Sequence, residues 1–146
     1  MNETTASVSK IIDASPEDVW HALTTPRELK KYFFGADVVS DWVVGHPIRM
    51  RGEFKGKAYE DKGEILAAEL EKRLAFSHWS PLSGEPDAPE NYHVVTFDLQ
   101  PERSGTAVSL TQSNLTGGVK PSDLEHKDDY EKNWSSVLEG LAKVVS

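Results

Sequence analysis

The stretch Ser122–Val145, SDLEHKDDYEKNWSSVLEGLAKVV, decides the architecture. Ser122 with Glu125 three positions on has the pattern of a capping box, in which two side chains satisfy free amides at a helix start. Beyond it Tyr130, Trp134, Val137, Leu138, Leu141 and Val145 recur at spacings of four, three, one, three and four, which is one stripe of an α-helix. Glu131, Lys132, Ser135, Glu139 and Lys143 fall mostly on the rest of the wheel. At 1.5 Å per residue the rod is roughly 36 Å long, enough to cross a small domain. Almost everything before it reads as strand, so a sheet and one long helix must bury their apolar faces on each other.

The strands are legible from alternation and punctuation. Tyr92–Gln100 and Thr106–Asn114 form a predicted hairpin around Glu102-Arg103-Ser104-Gly105, with Val95, Phe97 and Leu99 facing Val108, Leu110, Gln112 and Asn114 inward. Arg73–Trp79 puts Leu74, Phe76 and His78 in one phase, and Ala58–Leu70 puts Tyr59, Gly63 and Ile65 inward. Ile48, Met50, Gly52 and Phe54 alternate with charged residues, and Lys55-Gly56-Lys57 is a turn. Val38–Val44 supplies one or two short extended pieces. A first strand, Thr4–Ile12, leads into Ser15-Pro16-Glu17-Asp18, a helix start with cap, proline and acids in order. A second short helix from Pro26 towards Tyr32 delivers Tyr32, Phe33 and Phe34, with Gly35 ending it. Gly52 and Gly63 lie in the inward phase, where a missing side chain lets a sheet bend or leaves room. Pro81–Asn91, with three prolines and a glycine, is the one long irregular loop, a lid or a mobile hairpin end.

Bulk properties narrow the function. A chain of 146 residues, 38% hydrophobic and 27% charged, has the make-up of one globular domain. Its net charge of -8 repels phosphate backbones and anionic lipid, so no nucleic-acid partner is expected. No apolar run approaches the roughly 18 residues of a membrane span, so no membrane insertion is expected. No secretory signal is visible in MNETTASVSK, and with no cysteine the expected compartment is the cytoplasm.

The order strand, two short helices, six or so strands and one long helix is similar to the helix-grip fold of the START-like superfamily. Ile12-Asp13-Ala14-Ser15-Pro16-Glu17-Asp18-Val19-Trp20, then Leu23-Thr24 and Pro26 with Glu28-Leu29, resemble the opening of the ninety-kilodalton heat-shock protein ATPase-activator homologues. Gly63-Glu64-Ile65, Arg73-Leu74-Ala75-Phe76, Val95-Thr96-Phe97-Asp98-Leu99, Gly105-Thr106 and the Trp134, Leu138, Leu141 helix follow in that family's order. The resemblance covers essentially the whole chain. It implies an α+β domain over residues 1–146, with a curved antiparallel sheet of six or seven strands wrapped round the last helix. It also implies a cavity between them for a small hydrophobic ligand, aromatic or lipid-like, and a possible link to chaperones and stress response. Tyr32-Phe33-Phe34 and His78 stand where that family often carries tryptophan, at positions expected to line the cavity.

The expected lining residues are Phe33, Phe34, Tyr59, Phe76, His78, Phe97, Gln112, Asn114, Tyr130, Trp134 and Leu138, with Phe54 and Leu110 as further apolar wall. Two readings stand for the rings, a ligand cavity or a solid interdigitated core. His78, Gln112 and Asn114 fall among apolar neighbours, and buried polar groups need partners, in a ligand, in water or in one another. No catalytic residue, cofactor or metal is assigned. The five histidines show no HxH or HExxH spacing, and nucleophile-elbow, phosphate-loop and dinucleotide motifs are absent. Binding, not catalysis, is the expectation. A cyclase- or hydratase-type enzyme with His78 as general acid/base and a chaperone-associated interaction module are the alternatives.

Overall fold

In the computed structural model of the protein, which describes residues 4–145 of the chain, turn chemistry sets the strand boundaries. The strands are β1 (Thr4–Ile12), β2 (Asp37–Val39), β3 (Pro47–Phe54), β4 (Lys57–Glu69), β5 (Arg73–His78), β6 (His93–Glu102) and β7 (Gly105–Asn114). The helices are α1 (Pro16–Leu23), α2 (Pro26–Tyr32) and α3 (Pro121–Val145). Lys55 (φ 51°) and Gly56 (φ 80°) both take the left-handed region, which gives the two-residue turn that matches strand twist between β3 and β4. Ser15 Oγ accepts from the Asp18 N–H at 3.1 Å and starts α1.

The seven strands form one antiparallel sheet in the order β1-β7-β6-β5-β4-β3-β2. Every pairing but β1–β7 joins neighbours in sequence. The two short helices fall between β1 and β2, and α3 closes the inner face, so the α+β helix-grip architecture is present with seven strands. No helix among the described residues is long and apolar enough to cross a membrane.

The long helix starts two residues earlier than the capping-box pattern predicts. Pro121 takes the first helical position, where its fixed φ and missing N–H cost nothing. With the start moved, Asp123 and not Glu125 reaches back, its Oδ2 accepting from the Lys120 N–H at 2.8 Å, and Ser122 is left exposed. Val137, Leu138 and Leu141 are fully buried, whereas Tyr130, Trp134 and Val145 are only partly covered. Gly140 marks the contact with α2: a Cβ there would lie 2.6 Å from Tyr32 Cβ. The Tyr32 hydroxyl in turn donates to the Ala22 carbonyl at 2.8 Å, which locks α2 to α1.

The inward glycines are used for close approach. A Cβ on Gly52 would lie 2.5 Å from the Tyr59 hydroxyl, so the missing side chain houses the tyrosine. A Cβ on Gly63 would lie 1.6 Å from the Ser77 carbonyl oxygen, and the β4–β5 register shifts just beyond, between Ile65 and Ala67. Phe54 departs from its predicted inward place. It ends β3 beside the turn, beyond the residues that pair with β2, and is 52% exposed. The Pro81–Asn91 segment contains two single 3-10 turns, Pro81–Ser83 and Pro89–Asn91. It is tied down by Tyr92 donating to Asp87 Oδ1 at 2.6 Å, by an Asp87–Lys62 ion pair and by Lys120 donating to the Glu90 carbonyl.

Candidate functional site

Three elements converge beneath the first half of α3 to enclose a cavity of about 140 Å3. The helix supplies Tyr130, Asn133 and Trp134, because residues three and four apart share a helix face. The segment after α2 supplies Phe33, Phe34 and Ala36 as a side wall. The sheet floor is built from every second residue: Met50 from β3, Tyr59 and Asp61 from β4, His78 from β5 and Gln112 from β7.

The apolar part is a ring cluster. Phe33 and Phe34 meet edge to face with centroids 5.3 Å apart, and each lies 6.0 Å from the Trp134 ring. Phe33 is buried; Phe34 is 55% exposed and sits at φ 54°, a left-handed conformation that costs a residue with a side chain about 1–2 kcal/mol. Trp134 is aimed by a hydrogen-bond chain. Its Nε1–H donates to Gln112 Oε1 at 2.9 Å, and Gln112 Nε2 donates to Thr5 Oγ1 at 3.1 Å. Both ends of the Gln112 amide are thereby engaged, so its place in the cavity is to hold Trp134.

The polar part centres on Asp61. Its Oδ2 lies 2.8 Å from His78 Nε2, with the two side chains 13% and 25% exposed. The other carboxylate oxygen, Oδ1, is buried with no protein partner among the described residues. Burial, aided by the nearby Asp61 charge, pushes the Tyr59 hydroxyl up from its ordinary value. In the ladder His78 lies opposite His93, and His93 opposite Asn114, so a polar row runs across this end of the sheet. Burial holds His93 below the ordinary histidine value, and the Tyr130 ring packs edge-on against it at 5.9 Å.

Of the predicted lining residues, Phe33, Phe34, Tyr59, His78, Gln112, Tyr130 and Trp134 come together around this space. Phe76, Phe97 and Leu138 are core residues packed away from it, at 3%, 1% and 1% exposure. Asn114 is engaged elsewhere: its Nδ2 donates to Asp123 Oδ2 at 2.8 Å and to the Gly118 carbonyl at 3.0 Å, pinning the start of α3. Sequence reasoning missed Asp61 and Asn133 as lining residues, and His93 in the row beside them. Asp61 stands two residues after Tyr59 on the same strand, so the two-residue period was the signal for it. A wider groove of about 410 Å3 lies on the outer side of the sheet among Lys62, Glu64, Leu66 and Pro89, where Lys62 is already paired with Asp87. Among the described residues no group of three or more histidine, aspartate or glutamate side chains is placed to hold a metal ion.

A seven-stranded antiparallel sheet gripping one long helix, with a ring-lined cavity between them, defines a START-like helix-grip protein. The chain belongs to the Activator of Hsp90 ATPase homolog 1-like protein family, whose sequence model matches residues 13–146. It is similar to a protein of Cytophaga hutchinsonii solved in solution, with 48% identity over 94% of this chain and 90% of that one and a TM-score of 0.77. A crystal structure from Mesorhizobium loti shares 25% identity over 94% of this chain and 93% of that one, with a TM-score of 0.74. The Aha1 dimer from Colwellia psychrerythraea, at 23% identity, 96% and 94% coverage and a TM-score of 0.71, shares the fold. No curated protein matches the chain.

Proposed function

We propose that the protein binds a small hydrophobic molecule, aromatic or lipid-like, in the cavity between the sheet and α3. One observation carries this. Phe33, Phe34, Tyr59 and Trp134 surround about 140 Å3 of open space, while Val137, Leu138 and Leu141 of the α3 stripe are closed core. Engineered apolar cavities of roughly 150 Å3 take up a single benzene ring, which sets the scale of the occupant. The test is a screen of ring-bearing and short-chain hydrophobic compounds against 15N-labelled protein. Shifts concentrated on Trp134, Phe34 and His78 are expected; shifts scattered over the outer face of the sheet would remove the cavity as the site.

A second reading draws on the Asp61–His78 pair at 2.8 Å. A carboxylate that fixes the tautomer of an imidazole beside a cavity is an arrangement suited to general acid/base catalysis on a bound carbonyl compound. It requires turnover that vanishes in His78→Ala while ligand affinity persists; a bound ligand recovered unchanged from the wild type speaks for binding alone. Contact with a chaperone rests on family membership only. It predicts calorimetric heat on titration with the ninety-kilodalton heat-shock protein at micromolar concentration, and a flat trace would set it aside.

A further inference from the structure

We infer that the cavity selects a ligand whose head group donates hydrogen bonds and carries positive charge, a protonated amine on a compact apolar body. The inference rests on the cavity being a ligand site and concerns what its polar end accepts. An ionised carboxylate can only accept, so the 2.8 Å contact makes His78 Nε2 the donor to Asp61 Oδ2. Asp61 Oδ1 is a further acceptor, buried and without a partner among the described residues. Gln112 Oε1 is already taken by the Trp134 indole at 2.9 Å. The polar end of the floor therefore centres on a carboxylate with one oxygen unpaired, and an unsatisfied buried acceptor is costly.

Charge points the same way. No lysine or arginine lines the cavity among the described residues, so a carboxylate or phosphate head would meet the Asp61 carboxylate with neither to pair with. The rings of Phe33, Phe34 and Trp134, with centroids 5.3 to 6.0 Å apart, supply the wall for the apolar body. The chain's net charge of -8 favours approach of a cation as well. An alcohol would satisfy Oδ1 but leave the charge unmatched. The expected order is amine, then alcohol, then carboxylate.

Three probes with one aromatic ring test it: 2-phenylethylamine, 2-phenylethanol and 3-phenylpropanoate, each titrated at pH 7 into the 15N-labelled full chain. The amine is expected to bind roughly ten- to a hundred-fold more tightly than the carboxylate, the range of a hydrogen bond to a charged group. Asp61→Asn keeps the shape and removes the charge, so the amine's lead over the alcohol should fall to about three-fold or less. A carboxylate that binds as tightly as the amine, with shifts on the same Trp134, Phe34 and His78 signals, overturns the inference and leaves the cavity standing. So does an undiminished lead of the amine in Asp61→Asn whose amide spectrum otherwise overlays the wild type. If none of the three probes moves the Trp134 and Phe34 signals, the cavity reading itself fails and takes the inference with it. The wild-type ranking decides even if the variant does not fold.

Discussion

Phe34→Asn separates a residue kept for binding from one kept for stability. Phe34 is held at φ 54°, which costs about 1–2 kcal/mol for an ordinary side chain, and asparagine tolerates that region, so the substitution recovers about 1 kcal/mol. Against that stand two ring contacts, 5.3 Å to Phe33 and 6.0 Å to Trp134, each worth about 0.5–1.5 kcal/mol when buried. The ring is 55% exposed, so the lower end applies and the two together come to about 1 kcal/mol. The terms cancel. Stability in urea should move by less than about 1 kcal/mol, which is a few degrees in Tm at this chain length. Binding should not be spared. Fully burying a phenylalanine is worth about 1.5–3 kcal/mol, and a ligand seated against Trp134 would cover about half of that ring. Affinity for 2-phenylethylamine should therefore fall by about 1 kcal/mol, or roughly five-fold, by calorimetry. A stability loss above about 2 kcal/mol would make Phe34 a core residue. Unchanged affinity would remove it from the ligand wall.

Gly140→Ala raises helix propensity by about 1 kcal/mol, yet its Cβ would sit 2.6 Å from Tyr32 Cβ, an atom fixed to the α2 backbone. Overpacking of that kind costs about 1–3 kcal/mol, so the urea midpoint should fall, and a rise would mean that α2 yields easily. Gln112→Leu strands the Trp134 indole and removes the donor to Thr5 Oγ1, whose hydroxyl keeps its bond to the residue-112 carbonyl; about 1–3 kcal/mol should be lost and the Trp134 Nε1–H resonance should shift and exchange faster. An unmoved indole signal would show that Gln112 does not aim the ring. His93 is held below its ordinary value by burial, so as pH falls beneath about 6.5 the unfolded chain takes up the proton first. Its contribution is fully present above that pH and is lost on acidification. His93→Gln should flatten the fall in urea midpoint between about pH 7 and 5.5, and an unchanged slope would place the sensitivity elsewhere.

Much of the fold was legible because it rests on two periods. The two-residue alternation of Ile48 and Met50 and the helical stripe of Val137, Leu138 and Leu141 each describe a buried face, and burial follows them. Errors arose where position along an element matters as well as phase. Phe54 has the inward phase of its strand, but the strand ends there at a turn. Ser122 has the cap composition, but Pro121 had already begun the helix. The site was half legible. Rings announce themselves by type, whereas the use of a polar side chain depends on partners far away in sequence. Gln112 answers to Thr5, 107 residues off, and His78 to Asp61, 17 residues off, and neither pairing leaves a local mark. Gly140 was equally mute: within a helix it reads as a weakness, and only the neighbouring Tyr32 gives it a purpose.

The mechanical consequence of α3 lies in how it is supported. One end is seated by Asp123 on Asn114 and by Lys120 on the Glu90 carbonyl, the other by Val137, Leu138, Leu141 and the Gly140–Tyr32 contact. Between these two abutments the Ser7 N–H donates to Glu131 at 3.0 Å, tying the span down to β1. A beam fixed at both ends does not lift, so the roof height over the cavity is set by the scaffold and not by the guest. Any give must come from the side, where Phe34, 55% exposed, and Gly35 are both left-handed. The protein should accordingly discriminate sharply on the thickness of a guest and loosely on its length.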